Sequence, residues 1–351
     1  MPRSLVLDGP RRLRLAEQPS RPLEPGEIRL RARLSGISHG TELSLYRGTS
    51  AFTDKVFDRG LRAFVTPHAG SAAGYPVTLG YEMVGEVTEV APDVTEVKVG
   101  DLVHTGTPHQ EETVLDVAAS LNATYPLVRL PTAERPERAL FISLAAVALQ
   151  AVHDAEMKLG DAVSVHGLGT IGLLTVQMCR LEGIQNVFAL DPDPARRKLA
   201  ADLGASHVLD PSEEPTVGLQ IRELNHGHGV DVAIEVSGND RGLQGALEAA
   251  GLGATVVAAG FYQGGAANLL VILQVEHHPA HVGAMLKLRR NHLQRHRIPD
   301  FAREVYRPVR TCREVGLDDR NAIGREQRFR PMFAQRGGAR EIEPDRIVSR
   351  S

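Results

Sequence analysis

Gly167, Gly169 and Gly172 fall at the spacing G-x-G-x-x-G, with Thr170 inside it, and Asp191 follows. In such a turn the first glycine permits a tight bend and the second lets a pyrophosphate approach the backbone. The third lets the next helix pack closely on the preceding strand. Free amides at that helix's N-terminus suit phosphate oxygens. An acid about 20 residues after the turn suits a ribose 2′-hydroxyl. A carboxylate about 4 Å from a 2′-phosphate would be repelled by about 4 kcal/mol per charge pair at an effective dielectric near 20. These residues predict dinucleotide binding, with NAD preferred over NADP. Arg196 and Arg197 either offset part of that repulsion or line the solvated face of a helix.

The flanking pattern supplies the elements that hold this turn. Residues 162–166 (AVSVH) read as a buried strand, and Ile171, Leu174, Met178 and Leu181 recur at helical spacing on one face. A second strand at 187–190 leads to Asp191. Helices at 195–203, 217–225 and 241–250 then alternate with strands at 207–209, 230–236 and 255–259, and 269–275 (LLVILQV) reads as a sixth strand. The alternation predicts a doubly wound parallel sheet of the Rossmann kind, hence an α/β chain. Ser237 and Gly238 end one strand, and Gly260 and Phe261 end the next. Ligands of such sheets bind at carboxyl ends, so these four are expected beside the nicotinamide ribose. Ordinary strand-end turns are the plainer reading.

Upstream, 28–34 (IRLRARL), 82–90 (EMVGEVTEV) and 97–104 (VKVGDLVH) alternate as strands do. They predict a β-rich, barrel-like domain. Its long segment 48–76, rich in Gly, Pro and Ser yet carrying Phe52, Phe57 and Phe64, suits a lid or binding element. A helical run over 136–157 leads into the Rossmann strands. The expected division is 1–150, 151–276 and an atypical 277–351.

Whole-chain properties narrow the field. At 351 residues there is room for two domains, and a net charge of −3 gives no reason to expect nucleic acid or membrane as partner. The start, MPRSLVLDGP, lacks the apolar stretch of a signal peptide, and no apolar run is expected to reach spanning length. The two cysteines, Cys179 and Cys312, suit a reducing cytoplasm and exclude a four-cysteine zinc lobe. Residues 271–351 hold 16 Arg and 1 Lys against 10 acids, with few aliphatics. Composition predicts a poorly packed or partly disordered segment there; a basic arm or oligomer-docking tail is the functional alternative.

Four motifs in order carry a family resemblance: GISHGTE at 36–42, LGYEMVG at 79–85, VGDLV at 99–103, and the glycine turn. Over about residues 5–270 the chain resembles the medium-chain dehydrogenase/reductase superfamily. The resemblance implies an N-terminal GroES-like catalytic domain joined to a Rossmann domain. Zinc-dependent members read G-I-C-x-[ST]-[DE] at the first motif and G-H-E at the second. Here His39 and Tyr81 stand at those ligand positions, and 141–146 (FISLAA) offers no third ligand. A catalytic zinc needs about three N, S or carboxylate ligands, so no zinc is expected. The signatures look most like the zinc-free branch that includes bacteriochlorophyllide dehydrogenases. The resemblance implies oxidation of a small secondary alcohol, or its reverse. It also implies a homodimer, against which the missing final strand and helix weigh.

Hydride transfer to or from a carbonyl carbon changes the charge on its oxygen, so a proton donor must replace the metal. Such a group typically contributes about 10²- to 10⁴-fold. Tyr81, at a lost ligand position, is one candidate. Thr41, matching the relay hydroxyl of zinc enzymes, with His39 as final acceptor, is the other. Glu82 is expected to support the cleft, and His109 lies in a loop that approaches substrate in relatives. Half-buried packing for Tyr81 and mere solvation for His39 are the plainer readings. An NAD(P)H-dependent quinone or enoyl reductase, and a degraded NAD-binding sensor or scaffold, remain the competing functions.

Overall fold

Short strands broken by glycine turns, followed by a strict alternation of strand and helix, give two kinds of sheet in the computed structural model. It describes residues 1–50, 56–58, 63–65, 74–123, 125–213, 216–262 and 287–290, all within one unit, Met1–Phe301. The first part runs β1 (Arg3–Gly9), β2 (Arg12–Glu17), β3 (Glu27–Ser35), α1 (Thr41–Arg47), β4 (Val56–Asp58), β5 (Ala63–Val65) and β6 (Val77–Thr78). It continues through β7 (Met83–Val90), β8 (Leu102–Thr105), β9 (Glu112–Asp116), α2 (Val117–Leu121) and β10 (Val128–Arg129).

These strands form a five-stranded antiparallel sheet, β10-β8-β7-β3-β9, and a three-stranded one, β2-β1-β6. Period-two alternation sorts the faces. Ile28, Leu30, Met83, Val87 and Val103 form one apolar cluster, while Arg29 pairs with Glu89 at 2.8 Å and Glu112 at 3.0 Å. The strand expected over 97–104 begins only at Leu102. Gly100, at φ +89°, makes a turn there instead. Of the expected lid at 48–76, β4 and β5 pair as a hairpin, and the rest of its centre lies outside the described residues.

A 3-10 turn, Pro136–Phe141, leads into α3 (Ile142–Ala155). Contrary to expectation, this 20-residue stretch is long and apolar enough to cross a membrane, at a mean hydropathy of 1.2. Its apolarity has a local cause. Ala148, Ala151, Val152 and Ala155 are buried, and α3 packs against α4 and the parallel sheet.

That sheet follows: β11 (Ala162–His166), α4 (Thr170–Leu181), β12 (Asn186–Leu190), α5 (Pro194–Asp202) and β13 (His207–Leu209). Then come α6 (Val217–Leu224), β14 (Val230–Glu235), α7 (Asp240–Ala249), β15 (Ala250–Ala258) and β16 (Lys287–Arg290). The order is β13-β12-β11-β14-β15-β16, with every pairing parallel. Helices on both faces explain why β11 is buried at all five positions. The order reverses between β11 and β14, which opens a crevice at their carboxyl ends.

Two details differ from expectation. The buried side of α4 is Gly172, Thr175, Val176 and Cys179, and Leu181 is 84% exposed. Close approach to the sheet selects the small residues, because a Cβ on Gly172 would overlap the Gly167 carbonyl. The sixth strand is β16, inside the arginine-rich segment. The expected strand at 269–275 lies outside the described residues, as does nearly all of 277–351.

Candidate active site

The crevice is edged by the glycine turn. Gly167 has φ +93° and donates its N–H to Leu190 O at 2.8 Å, which ties the turn to the end of β12. A Cβ at Gly169 would meet no atom within 4 Å. The turn thus presents bare backbone, ahead of Thr170, where a phosphate would approach. Asp191 is buried, and its carboxylate accepts Leu168 N–H at 2.8 Å and Asp193 N–H at 2.9 Å. Arg196 approaches the same carboxylate at 3.5 Å. Arg197 instead bonds the Asp191 carbonyl at 2.7 Å and Asp210 at 2.8 Å. Only Arg196 of the two therefore adjoins the carboxylate that was expected to meet the ribose.

Ser237 and Gly238 follow β14, and Gly260 and Phe261 follow β15, with Gly238 packed so closely that a Cβ there would lie 2.7 Å from Phe261 O. The tie between these two loops is Glu235, which the sequence reading missed. It is buried, ends β14, and bonds Ser237 and Tyr262.

The second cluster lies at the start of α1 and just before β7. Glu42, in the first turn of α1, is buried and accepts Ser38 N–H at 2.6 Å. Ser38 Oγ accepts Thr41 N–H at 3.4 Å. The Ser38 and Thr41 side chains lie near the Tyr81 phenol. Burial pushes that phenol above the ordinary tyrosine range, while those two side chains act to lower its pKa. Tyr81 also stacks on Tyr125, with ring centroids 5.2 Å apart. The Tyr125 phenol is pushed up to about 12 by burial and by the nearby Tyr81 and Glu82.

Tyr81 and Thr41 are thus brought together, whereas His39 is exposed. Glu82 is buried and pairs with the equally buried His104, Oε2 to Nε2, at 2.8 Å. Glu82 Oε1 and His104 Nδ1 have no partner among the described residues. His109 bonds Glu42 at 2.7 Å and also the Ser35 hydroxyl. A Cβ at Gly80 would lie 2.5 Å from His109 N, so only glycine fits beside it. Tyr125 and His104 carried no signal in the sequence, since neither belongs to a spaced motif.

Among the described residues, no three His, Cys, Asp or Glu side chains converge to hold a metal ion. At the positions of zinc ligands in relatives stand exposed His39, the Tyr81 phenol and the apolar start of α3. That donor set does not match three N, S or carboxylate ligands around an open position.

Residues 24–120 match the family model for the alcohol dehydrogenase GroES-like domain, and 170–291 that for zinc-binding dehydrogenase. D-guloside 3-dehydrogenase of Shigella flexneri is 32% identical over 257 residues, covering 72% of each chain. (R,R)-butanediol dehydrogenase of Bacillus subtilis is 31% identical, over 69% of this chain and 72% of the relative. The crystal structure of 2R,3R-butanediol dehydrogenase from Bacillus subtilis superposes with a TM-score of 0.66 at 25% identity, covering 87% of this chain and 88% of that one.

Proposed function

The chain belongs to the zinc-type alcohol dehydrogenase-like superfamily of medium-chain dehydrogenases and reductases, and from that premise we propose that it interconverts a small secondary alcohol and its ketone with NAD, without a catalytic zinc. The observation that carries this reading is the half-buried Tyr81 ring, stacked on Tyr125 with Ser38 and Thr41 nearby, at a position where the family resemblance implies a metal ligand in zinc-dependent members. NAD, when bound, supplies the hydride acceptor or donor at C4 of its nicotinamide.

In this reading Gly167, Gly169, Thr170 and Gly172 hold the pyrophosphate by backbone amides and close approach. Asp191 accepts from the ribose hydroxyls, which favours NAD, and Arg196 moderates its charge. Ser237, Gly238, Gly260 and Phe261 flank the nicotinamide ribose. Residues 1–150 supply the catalytic side chains, and 151–276 together with β16 the cofactor sheet.

Tyr81 manages the proton. In oxidation the alcohol's O–H proton would leave through the Tyr81 and Thr41 hydroxyls to solvent, with the hydride taken up by bound NAD. In reduction the neutral phenol donates to the developing alkoxide. The phenol is protonated through neutral pH at its ordinary value near 10, and burial raises it further. Glu82, held by His104, supports the loop that carries Tyr81. A panel of secondary alcohols with NAD⁺ and NADP⁺, run on metal-analysed protein, tests the reading. Turnover with NAD⁺ on metal-free protein supports it; activity that requires zinc removes the Tyr81 mechanism.

A further inference from the structure

The most deeply buried acid among the described residues has no part in this mechanism. Glu235, the last residue of β14, is wholly shielded from solvent. An ionised carboxylate accepts hydrogen bonds only, at about four lone-pair sites. Oε1 of Glu235 accepts Ser237 N–H at 2.6 Å, Gly238 N–H at 3.2 Å and the Ser237 hydroxyl. Oε2 accepts the Tyr262 phenol. All four donors come from the two loops at the carboxyl ends of β14 and β15. The backbone repeats the connection, because the N–H groups of Ala259 and Gly260 donate to the Glu235 carbonyl at 2.9 and 3.0 Å.

The packing around this carboxylate leaves no slack. A Cβ at Gly260 would overlap Oε2, and one at Gly242 would lie 3.0 Å from Oε1. Ser237 in turn backs onto the phosphate turn, since a Cβ at Gly167 would lie 2.7 Å from Ser237 Cβ. A buried carboxylate is costly unless it is fully hydrogen-bonded. An apolar side chain would end β14 equally well. What the carboxylate adds is a side-chain junction between two loops that the backbone already joins at the Glu235 carbonyl, at the edge where the nicotinamide half of a dinucleotide would lie.

We propose that Glu235, with Tyr262 as its partner, is a positioning residue that holds the loops after β14 and β15 in register for the nicotinamide half of the cofactor. This rests on the dinucleotide-binding reading above and is independent of Tyr81 and of the substrate.

The test compares NADH with ADP-ribose, which keeps the adenosine and pyrophosphate but lacks nicotinamide. Titration calorimetry on the full chain is run for the wild type, Glu235→Gln and Tyr262→Phe. NADH affinity should fall about tenfold in Glu235→Gln and about threefold in Tyr262→Phe, the scale of one or two lost hydrogen bonds. ADP-ribose affinity should stay within about twofold in both. Parallel loss of both ligands would reduce Glu235 to a general support of the sheet and overturn the proposal. Unchanged NADH affinity in both variants would overturn it as well. Binding of ADP-ribose by the wild type checks the dinucleotide reading separately, so the two cannot fail under the same guise. Tyr262→Phe deletes only one hydroxyl, which keeps the test valid if Glu235→Gln folds poorly.

Discussion

Nε2 of His109 stands 2.7 Å from Oε1 of Glu42, joining the segment before β9 to the first turn of α1. The imidazole's other nitrogen bonds the Ser35 hydroxyl, and the carboxylate's other oxygen holds Ser38 N–H at 2.6 Å. One histidine thus spans from the end of β3 to the start of α1, where Ser38 and Thr41 lie near Tyr81. The sequence offered Glu42 only as the end of the motif at 36–42 and His109 only as a loop residue, and the fold alone couples them.

Breaking that pair should cost stability first. His109→Phe removes one hydrogen-bond partner of the buried Glu42 carboxylate, which costs about 1–3 kcal/mol. His109→Gln restores a donor and should recover at least half of the loss. Urea unfolding of the two variants checks this. Equal stability of wild type and His109→Phe would mean that the contact does not hold the loop.

Tyr81→Phe should lower turnover at least about tenfold while leaving NAD(H) affinity within about twofold, because the hydroxyl acts on charge that develops in the transition state. Thr41→Val should act in the same direction. Since burial raises the Tyr81 phenol above its ordinary range, ketone reduction should have no Tyr81-dependent loss below about pH 10. Near-normal rates in both variants would take the pair out of the mechanism.

Asp191→Ser should shift preference toward NADP(H) by about tenfold or more, since it removes a charge that repels the 2′-phosphate. The change also strips an acceptor from Leu168 N–H and Asp193 N–H, so about 1–3 kcal/mol of stability should go with it. Steady-state KM values for both cofactors decide the first point. A wild type that already favours NADP(H) contradicts the reading of Asp191.

Elemental analysis of the purified chain should find less than about 0.1 zinc per chain, and chelation should leave activity unchanged, because the matching positions lack a third ligand. One tightly held zinc, lost together with activity, would replace the Tyr81 mechanism.

His166 is wholly buried, and burial pushes its imidazole down to about 3. A depressed histidine binds no proton in the native state at pH 5, whereas the unfolded chain does. Stability is therefore lost as pH falls through the unfolded value near 6.5, at up to about 1.4 kcal/mol per pH unit. Between pH 7 and 5 the wild type should lose about 2 kcal/mol more than His166→Leu in denaturant titrations. Identical pH profiles would show that this imidazole does not titrate as its burial dictates.

The strands β11 to β15, the glycine turn and the acid after β12 were legible because each rests on local rules. Apolar runs, helical spacing and glycine intervals act over a few residues, and their order alone implies the winding of a parallel sheet. The pairing of motifs over the first hundred residues was legible for the same reason. What the fold decided are contacts between residues far apart in sequence. Tyr125 under Tyr81, His104 against Glu82 and Tyr262 on Glu235 are unmarked by any spacing. The buried side of α4 belongs with them. Hydrophobicity pointed to Ile171, Leu174, Met178 and Leu181, yet close approach to the turn turned Gly172, Thr175 and Val176 inward. The sixth strand, β16, came from an arginine-rich stretch whose composition argued for no strand at all. Local pattern determines which elements form and roughly in what order. Which side chains meet in the crevice depends on how closely those elements approach, and that is set by packing across the whole unit.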